Sequence, residues 1–315
     1  MALTASRLRT HRLYSTRGSP RGSGGGTIKF SDVGPLTHPV ALCAFEGWND
    51  AAEAASGVVN HLGIEWESTP IAAIDPDDYY DFQVNRPVID VVNGRAERLV
   101  WPTTRLSLAR ADATGLTRDV VLVHGVEPNM RWAGFTDELI TGFAELGVEL
   151  VVLIGALLAD SPHTRPVPVQ VSGTDQGLLR DVGSEPADYK GSAGIVGVLQ
   201  YSLHAADVPV ISLWASVPHY VATSPSPKAT LALLRTVEDI LDAPLPAGDL
   251  EEEARAWQHG VEELAQQDSD VADYVRTLEE AKDATDLPEA SGDAIAREFE
   301  RYLRRRRYPG EPGRS

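Results

Sequence analysis

Four short apolar runs set the rhythm of the chain: Pro39–Ala44, Val120–Val123, Leu150–Ile154 and Pro209–Leu213. Each is rich in Val, Ile and Leu and lacks clean polar alternation, the pattern of strands buried on both faces as in a parallel sheet. Ile71–Ile74 is a weaker fifth. Between them lie stretches with apolar residues at helical spacing: 50–62, 128–146, with Phe135, Leu139, Phe143 and Leu146 in register, 193–206, and 228–241 after Ser226 as N-cap and Pro227 at the first helical position. Strand and helix alternation predicts an α/β fold with right-handed crossovers.

Two segments depart from the alternation. Residues 88–101 carry Asn93-Gly94 between two strand-like runs and predict a hairpin with a type I′ turn. Residues 160–192 hold few helical signals and several Pro and Gly, which predicts a long loop. After Gly248 the character changes. From Asp249 to Glu300 there are 17 acids against Arg255, Arg276, Lys282 and Arg297. Apolar triads at helical spacing (Trp257, Val261, Leu264; Val271, Tyr274, Leu278; Ile295, Phe299, Leu303) predict amphipathic helices with a solvated acidic face. The expected organisation is a basic disordered extension (1–30), an α/β core (31–246), an acidic helical C-terminal subdomain (247–305) and a basic tail (306–315).

Charge sharpens this division. The 315 residues carry a net −18, yet residues 1–29 hold five arginines, one lysine and no acid, so residues 30–315 carry −24. So acidic a body argues against non-specific binding to nucleic acid or anionic membrane. The N-terminal segment has no apolar core of a secretory signal. It reads as a disordered extension or an over-long start, with an Arg- and Ser-rich transit peptide as the alternative. A single cysteine, Cys43, permits no intramolecular disulfide and suits a reducing compartment, so a cytoplasmic location is expected. No apolar stretch is long enough to span a bilayer.

The candidate chemistry gathers in the segments after the strands. These are Glu46–Asp50; Asp75–Pro87; His124–Trp132; Gly155–Pro166; and Trp214–Tyr220. In an open α/β sheet such segments share the carboxyl edge, where ligands bind. Each residue also has a plainer reading. Asp50 with Glu53 fits a capping box. Asp75-Pro76 and Glu127-Pro128 suit helix starts, and Arg86 can pair with Asp81 or meet an anion. His163 and Arg165 lie in Pro-His-Thr-Arg-Pro, two donors on a stiffened backbone. His219 suits a structural or a catalytic role. Gly191–Gly197 either seats an anion at a helix N-terminus or permits close packing. No G-x-S-x-G elbow, paired-cysteine motif or H-E-x-x-H metal pattern is present, and Cys43 reads as inert core. No cofactor or metal is expected.

Together the strings "FEGWNDAAEAAS", "IDPDDYYDFQVNRP", "WPTTR", "GVEPNMRW", "GALLADSPHTRPVPV", "GIVGVLQ" and "SLWASVPHYV" resemble the proteasome assembly chaperone 2 family in its actinobacterial form, over roughly residues 36–305. The resemblance implies a three-layer α/β sandwich with a mainly parallel sheet, similar in shape to nucleoside phosphorylases and peptidyl hydrolases, with a helical C-terminal part. It implies proteasome subunits or another protein as partner, and homo-oligomers. Some family members carry a carboxylate–amine ligase label, which no Gly-rich nucleotide loop with a lysine supports here. The family motifs fall on Gly47, Trp48, Asn49, Asp50, Asp81, Gln83, Asn85, Arg86, Pro87, Glu127, Arg131, Asp160, His163, Thr164, Arg165, Gly194 and His219. Two functions stay open: an oligomeric assembly or binding factor, and an enzyme or sensor of a small anionic metabolite. In the second, Arg86, Arg131 and Arg165 would supply charge-assisted donors, and Asp50, Glu127 or His163 would handle protons.

Overall fold

Burial on both faces places the four apolar runs side by side. The structure, a computed structural model, describes residues 28–174, 179, 189–221 and 223–286. Its strands are β1 (Val40–Glu46), β2 (Thr69–Ala73), β3 (Val88–Val92), β4 (Arg95–Val100), β5 (Arg105–Ala109), β6 (Val120–Val126), β7 (Leu150–Ala159), β8 (Val169–Gly173) and β9 (Val210–Pro218). Its helices are α1 (Ala54–Glu65), α2 (Ala111–Thr114), α3 (Trp132–Leu146), α4 (Ile195–Ala205), α5 (Pro227–Leu241), α6 (Leu250–Gln267) and α7 (Ser269–Asp286). Seven strands form one sheet in the order β2-β5-β6-β1-β7-β9-β8, and β3 and β4 pair only with each other.

The four apolar runs are the parallel centre, β6-β1-β7-β9. Strand β1 shows why they lack polar alternation. Val40, Leu42 and Ala44 pack with α1 and α5 through Val58, Leu62, Leu233 and Val237. The alternate residues Ala41, Cys43 and Phe45 pack with α3 and α4 through Phe135, Leu139, Leu199 and Leu203. The result is a three-layer α/β/α sandwich. Phe135 is fully buried between Phe45 and Tyr79, with ring centroids at 5.8 and 5.4 Å in edge-on geometry. Cys43 is fully buried, and burial pushes its thiol pKa up, which removes it from nucleophilic chemistry.

Some elements differ from expectation. Strand β5 is not predicted by the pattern: it is five residues long, with Leu106 and Leu108 as its main apolar signal. Residues 160–192 are not all loop, because β8 adds an antiparallel edge to β9. Strands β7 and β9 run on past the apolar runs through Ala159 and Pro218, pairing over nine positions in all. Gly155 permits this, since a Cβ there would meet the Trp214 ring at 2.8 Å. The helix expected from residue 50 is broken by left-handed Ala52 and Glu53 (φ 51° and 55°). The helix expected from Pro128 starts at Trp132, because Arg131 is left-handed (φ 56°).

The hairpin is present, and Asn93 and Gly94 both have positive φ (52° and 77°), as a type I′ turn requires. Helix α6 packs along α5, and α7 along α6. The basic extension to residue 27, the helix expected around Ile295–Leu303 and the Arg304–Arg307 run lie outside the described residues. Among the described residues no helix is long and apolar enough to cross a membrane.

Candidate functional site

The segments after the strands do emerge on one edge. Strand β2 is antiparallel to β5 and β5 to β6, so β2 runs with the parallel strands and its following loop joins theirs. The centre of this edge is a node on Glu127. Its Oε1 accepts from Asn49 Nδ2 (2.7 Å) and from the Ile195 N–H (2.7 Å), the first free donor of α4. Asn49 is fully buried; its backbone carbonyl accepts from the Ala156 N–H of β7 (2.8 Å), and the Glu127 N–H donates to Glu46 O (2.9 Å). The Glu127 carboxylate and the backbone bonds of Glu127 and Asn49 together tie β1, β6, β7 and α4. Gly194 makes the approach possible, because a Cβ there would lie 2.2 Å from Asn49 Oδ1. That oxygen is buried and has no hydrogen-bond partner.

Asp50 turns the other way and caps α1. Its Oδ1 accepts from the Ala55 (2.8 Å) and Ser56 (3.1 Å) N–H groups, which replaces the expected pairing with Glu53. Its Oδ2 is buried and unpartnered, and burial raises its pKa. Trp48, between these groups and Gly47, is 63% exposed. Ser226 and Pro227 do start α5, but the Ser226 Oγ makes no capping bond.

A second cluster joins the loops after β2 and β6. Asn129 Oδ1 accepts from the Asp81 N–H (2.9 Å) and from Asn85 Nδ2 (2.9 Å), and Asp81 Oδ1 accepts from the Gln83 N–H (2.8 Å). Arg131 is paired with Asp78 and lies 5.9 Å from the Tyr79 ring centroid. Arg86 is exposed and does not pair with Asp81.

The third cluster holds the Pro-His-Thr-Arg-Pro segment, and α7 covers it. Arg165 donates from Nε and Nη2 to the two oxygens of Asp283 (2.8 and 2.7 Å) and from Nη1 to Glu279 Oε1 (3.2 Å). Thr164 donates to the same Glu279. Asp160 Oδ1 accepts from the Tyr274 hydroxyl (3.0 Å) and lies 3.2 Å from His219 Nδ1. Arg165 holds the Asp283 carboxyl below its usual range. His163 is buried; the Tyr220 hydroxyl accepts from its N–H (2.7 Å) and lies 2.8 Å from Nδ1, while Nε2 has no partner. Burial, then the nearby Lys228 charge, lower the His163 pKa, so the ring is neutral at pH 7. Lys228 itself donates to Arg165 O (2.8 Å), Gln258 Oε1 (2.7 Å) and His163 O, and burial pulls its pKa down to about 8.

The sequence-derived candidates therefore sit in three groups along one edge: Asn49, Glu127 and Gly194; Asp81 and Arg131; Asp160, His163, Thr164, Arg165 and His219. Sequence reasoning missed the partners Asn129, Tyr220, Lys228, Tyr274, Glu279 and Asp283. Tyr220 and Lys228 adjoin named motifs, but the two acids on α7 look like any others of a solvated helix. Among the described residues no group of three or more His, Cys, Asp or Glu converges as a metal site.

Fold and edge together define a three-layer α/β protein whose strand-end loops are tied to one another and to a C-terminal helix. The chain belongs to the PAC2 family, whose sequence profile matches residues 44–265. It is similar to a PAC2 family protein from Streptomyces avermitilis, with 52% identity over 75% of this chain and 99% of that one, at a TM-score of 0.69. It is similar to a proteasome-assembly chaperone homologue from Mycobacterium tuberculosis, with 49% identity over 75% and 99% of the two chains, at a TM-score of 0.70. An archaeal proteasome activator from Pyrococcus furiosus shares the fold at 16% identity and a TM-score of 0.59, over 76% and 98%. No protein of curated function matches the sequence.

Two consequences are measurable. Gly194→Ala should cost about 1–3 kcal/mol in urea denaturation, since Asn49 must leave Glu127 to admit the methyl group. His163 binds its proton less readily when folded than when unfolded. Its contribution is thus complete above the ordinary histidine range, about 6.5, and shrinks as pH falls through and below it. The wild-type thermal midpoint should therefore drop between about pH 6.5 and 5 by more than that of His163→Gln; parallel curves would remove His163 from the account.

Proposed function

We propose that this chain is a chaperone-like assembly factor that acts in the cytoplasm as a homo-oligomer and binds protein, with proteasome α subunits as the leading partner. The observation that supports this over an anion-processing enzyme is the state of the arginines. Arg165, the donor expected to face an anion, is held by Asp283 and Glu279, and Arg131 is held by Asp78. An incoming anion would have to displace carboxylates already in place, at a loss of charge-assisted hydrogen bonds. The identity to a proteasome-assembly chaperone homologue supports the choice of partner.

The metabolite reading keeps two supports. Arg86 is exposed, with no hydrogen bond or ion pair among the described residues, and buried acceptors on Asn49 and Asp50 lack partners. On this reading Trp48, Asp81, Arg86, Thr164 and His219 would line the approach.

Native mass spectrometry of the full chain, alone and mixed with proteasome α subunits from the same cell, tests the choice. The proposal expects a defined complex with the α subunits and no small molecule carried through purification. A bound anion in the wild type that is lost in Arg86→Ala, with no complex formed, would overturn it.

A further inference from the structure

The β3–β4 hairpin is built against the usual rules for a free surface. Its strands pair with each other and with no other strand of the described chain. Val88, Ile89, Val91, Val92, Leu99 and Trp101 are each between 40% and 62% exposed. A lone two-stranded hairpin is marginal in water, because it buries too little to offset its ordering. This one is nonetheless specified by Asn93-Gly94 and by a ladder that opposes Ile89 to Leu99 and Asp90 to Arg98, with a register shift between Asp90 and Val91.

Apart from the register shift after Asp90, the outer edge of β3 carries few of the usual guards. Soluble proteins protect edges with lysines or inward charges. Strand β3 reads Val-Ile-Asp-Val-Val, and its one charge, Asp90, faces Arg98 of β4 at 3.9 Å. At the hairpin's base the Phe82 and Trp101 rings meet at a tilt of 57° with centroids 4.8 Å apart, and Val84 is exposed.

Charge indicates which partner covers this surface. Residues 88–101 hold Asp90 and Glu97 against Arg95 and Arg98, a neutral patch on a body of net −24. Two copies repel across most of their surfaces, but here they can meet without that cost. A basic foreign partner would be drawn to the acidic helices instead.

We propose that the β3–β4 hairpin is the self-association surface of this chain, with β3 adding edge to edge onto β3 of a second copy about a twofold axis. The inference rests on the oligomeric part of the reading above and names its surface.

Size-exclusion chromatography with light scattering tests it on the full chain, wild type beside Ile89→Thr/Val91→Thr. The pair keeps strand propensity and charge but removes exposed apolar area. Leu264→Thr, at an exposed site on α6, is the control. The expected result is a wild-type and control oligomer, with self-association of the double variant weakened at least tenfold. In parallel, Ile89→Cys should be joined into a dimer by a short bismaleimide, since the native Cys43 is buried. An unchanged oligomer in the double variant and no cross-linked dimer would overturn the hairpin and leave the oligomeric reading standing. A wild type that stays monomeric would overturn both. A monomer whose binding to another protein is lost in the double variant would assign the hairpin to that protein instead.

Discussion

The edge depends on one oxygen. Oε1 of Glu127 accepts both from the buried Asn49 amide and from the first free N–H of α4, at 2.7 Å each. A fully buried amide and an open helix end are each costly when unpaired, and a single carboxylate oxygen satisfies one donor of each. The constraint then spreads through the backbone. Residue 194 must be glycine, and Asn49 passes the link to β7 through its carbonyl. Asp50, next in sequence, then caps α1 on the opposite face of the sheet.

Outside this node the edge is closed by a similar economy of charge. Carboxylates of α7 neutralise Arg165, Asp78 neutralises Arg131, and Lys228 gathers acceptors from the loop after β7 and from α6. The polar residues that resemble a receptor for an anion are, in large part, each other's ligands. This places the search for a partner's binding site on surfaces that remain unsatisfied among the described residues: the apolar hairpin, the exposed Trp48 and the exposed Arg86.

Much of the fold was legible in the chain because burial on both faces leaves an unambiguous apolar run, and because Asn-Gly between two strands has few alternatives. Strand β5 escaped because its signal amounts to Leu106 and Leu108. Among the candidate site residues, Asn49, Glu127 and Gly194 could each be named from a motif. That they meet could not, since Glu127 is separated from Asn49 by 78 positions and from Ile195 by 68. The partners of Arg165 lie 114 and 118 positions away, within an acidic run that reads as solvent-facing. Periodicity sees which face of a helix is apolar; it does not see which acid on the polar face finds an arginine.

The central claim is that Glu127 couples elements far apart in sequence. Hydrogen exchange of wild type beside Glu127→Ala tests it most directly. The account predicts faster exchange together at residues 49–56, at Ala156 and over the first turn of α4, with α7 unchanged. Acceleration confined to the residues beside 127 would contradict it.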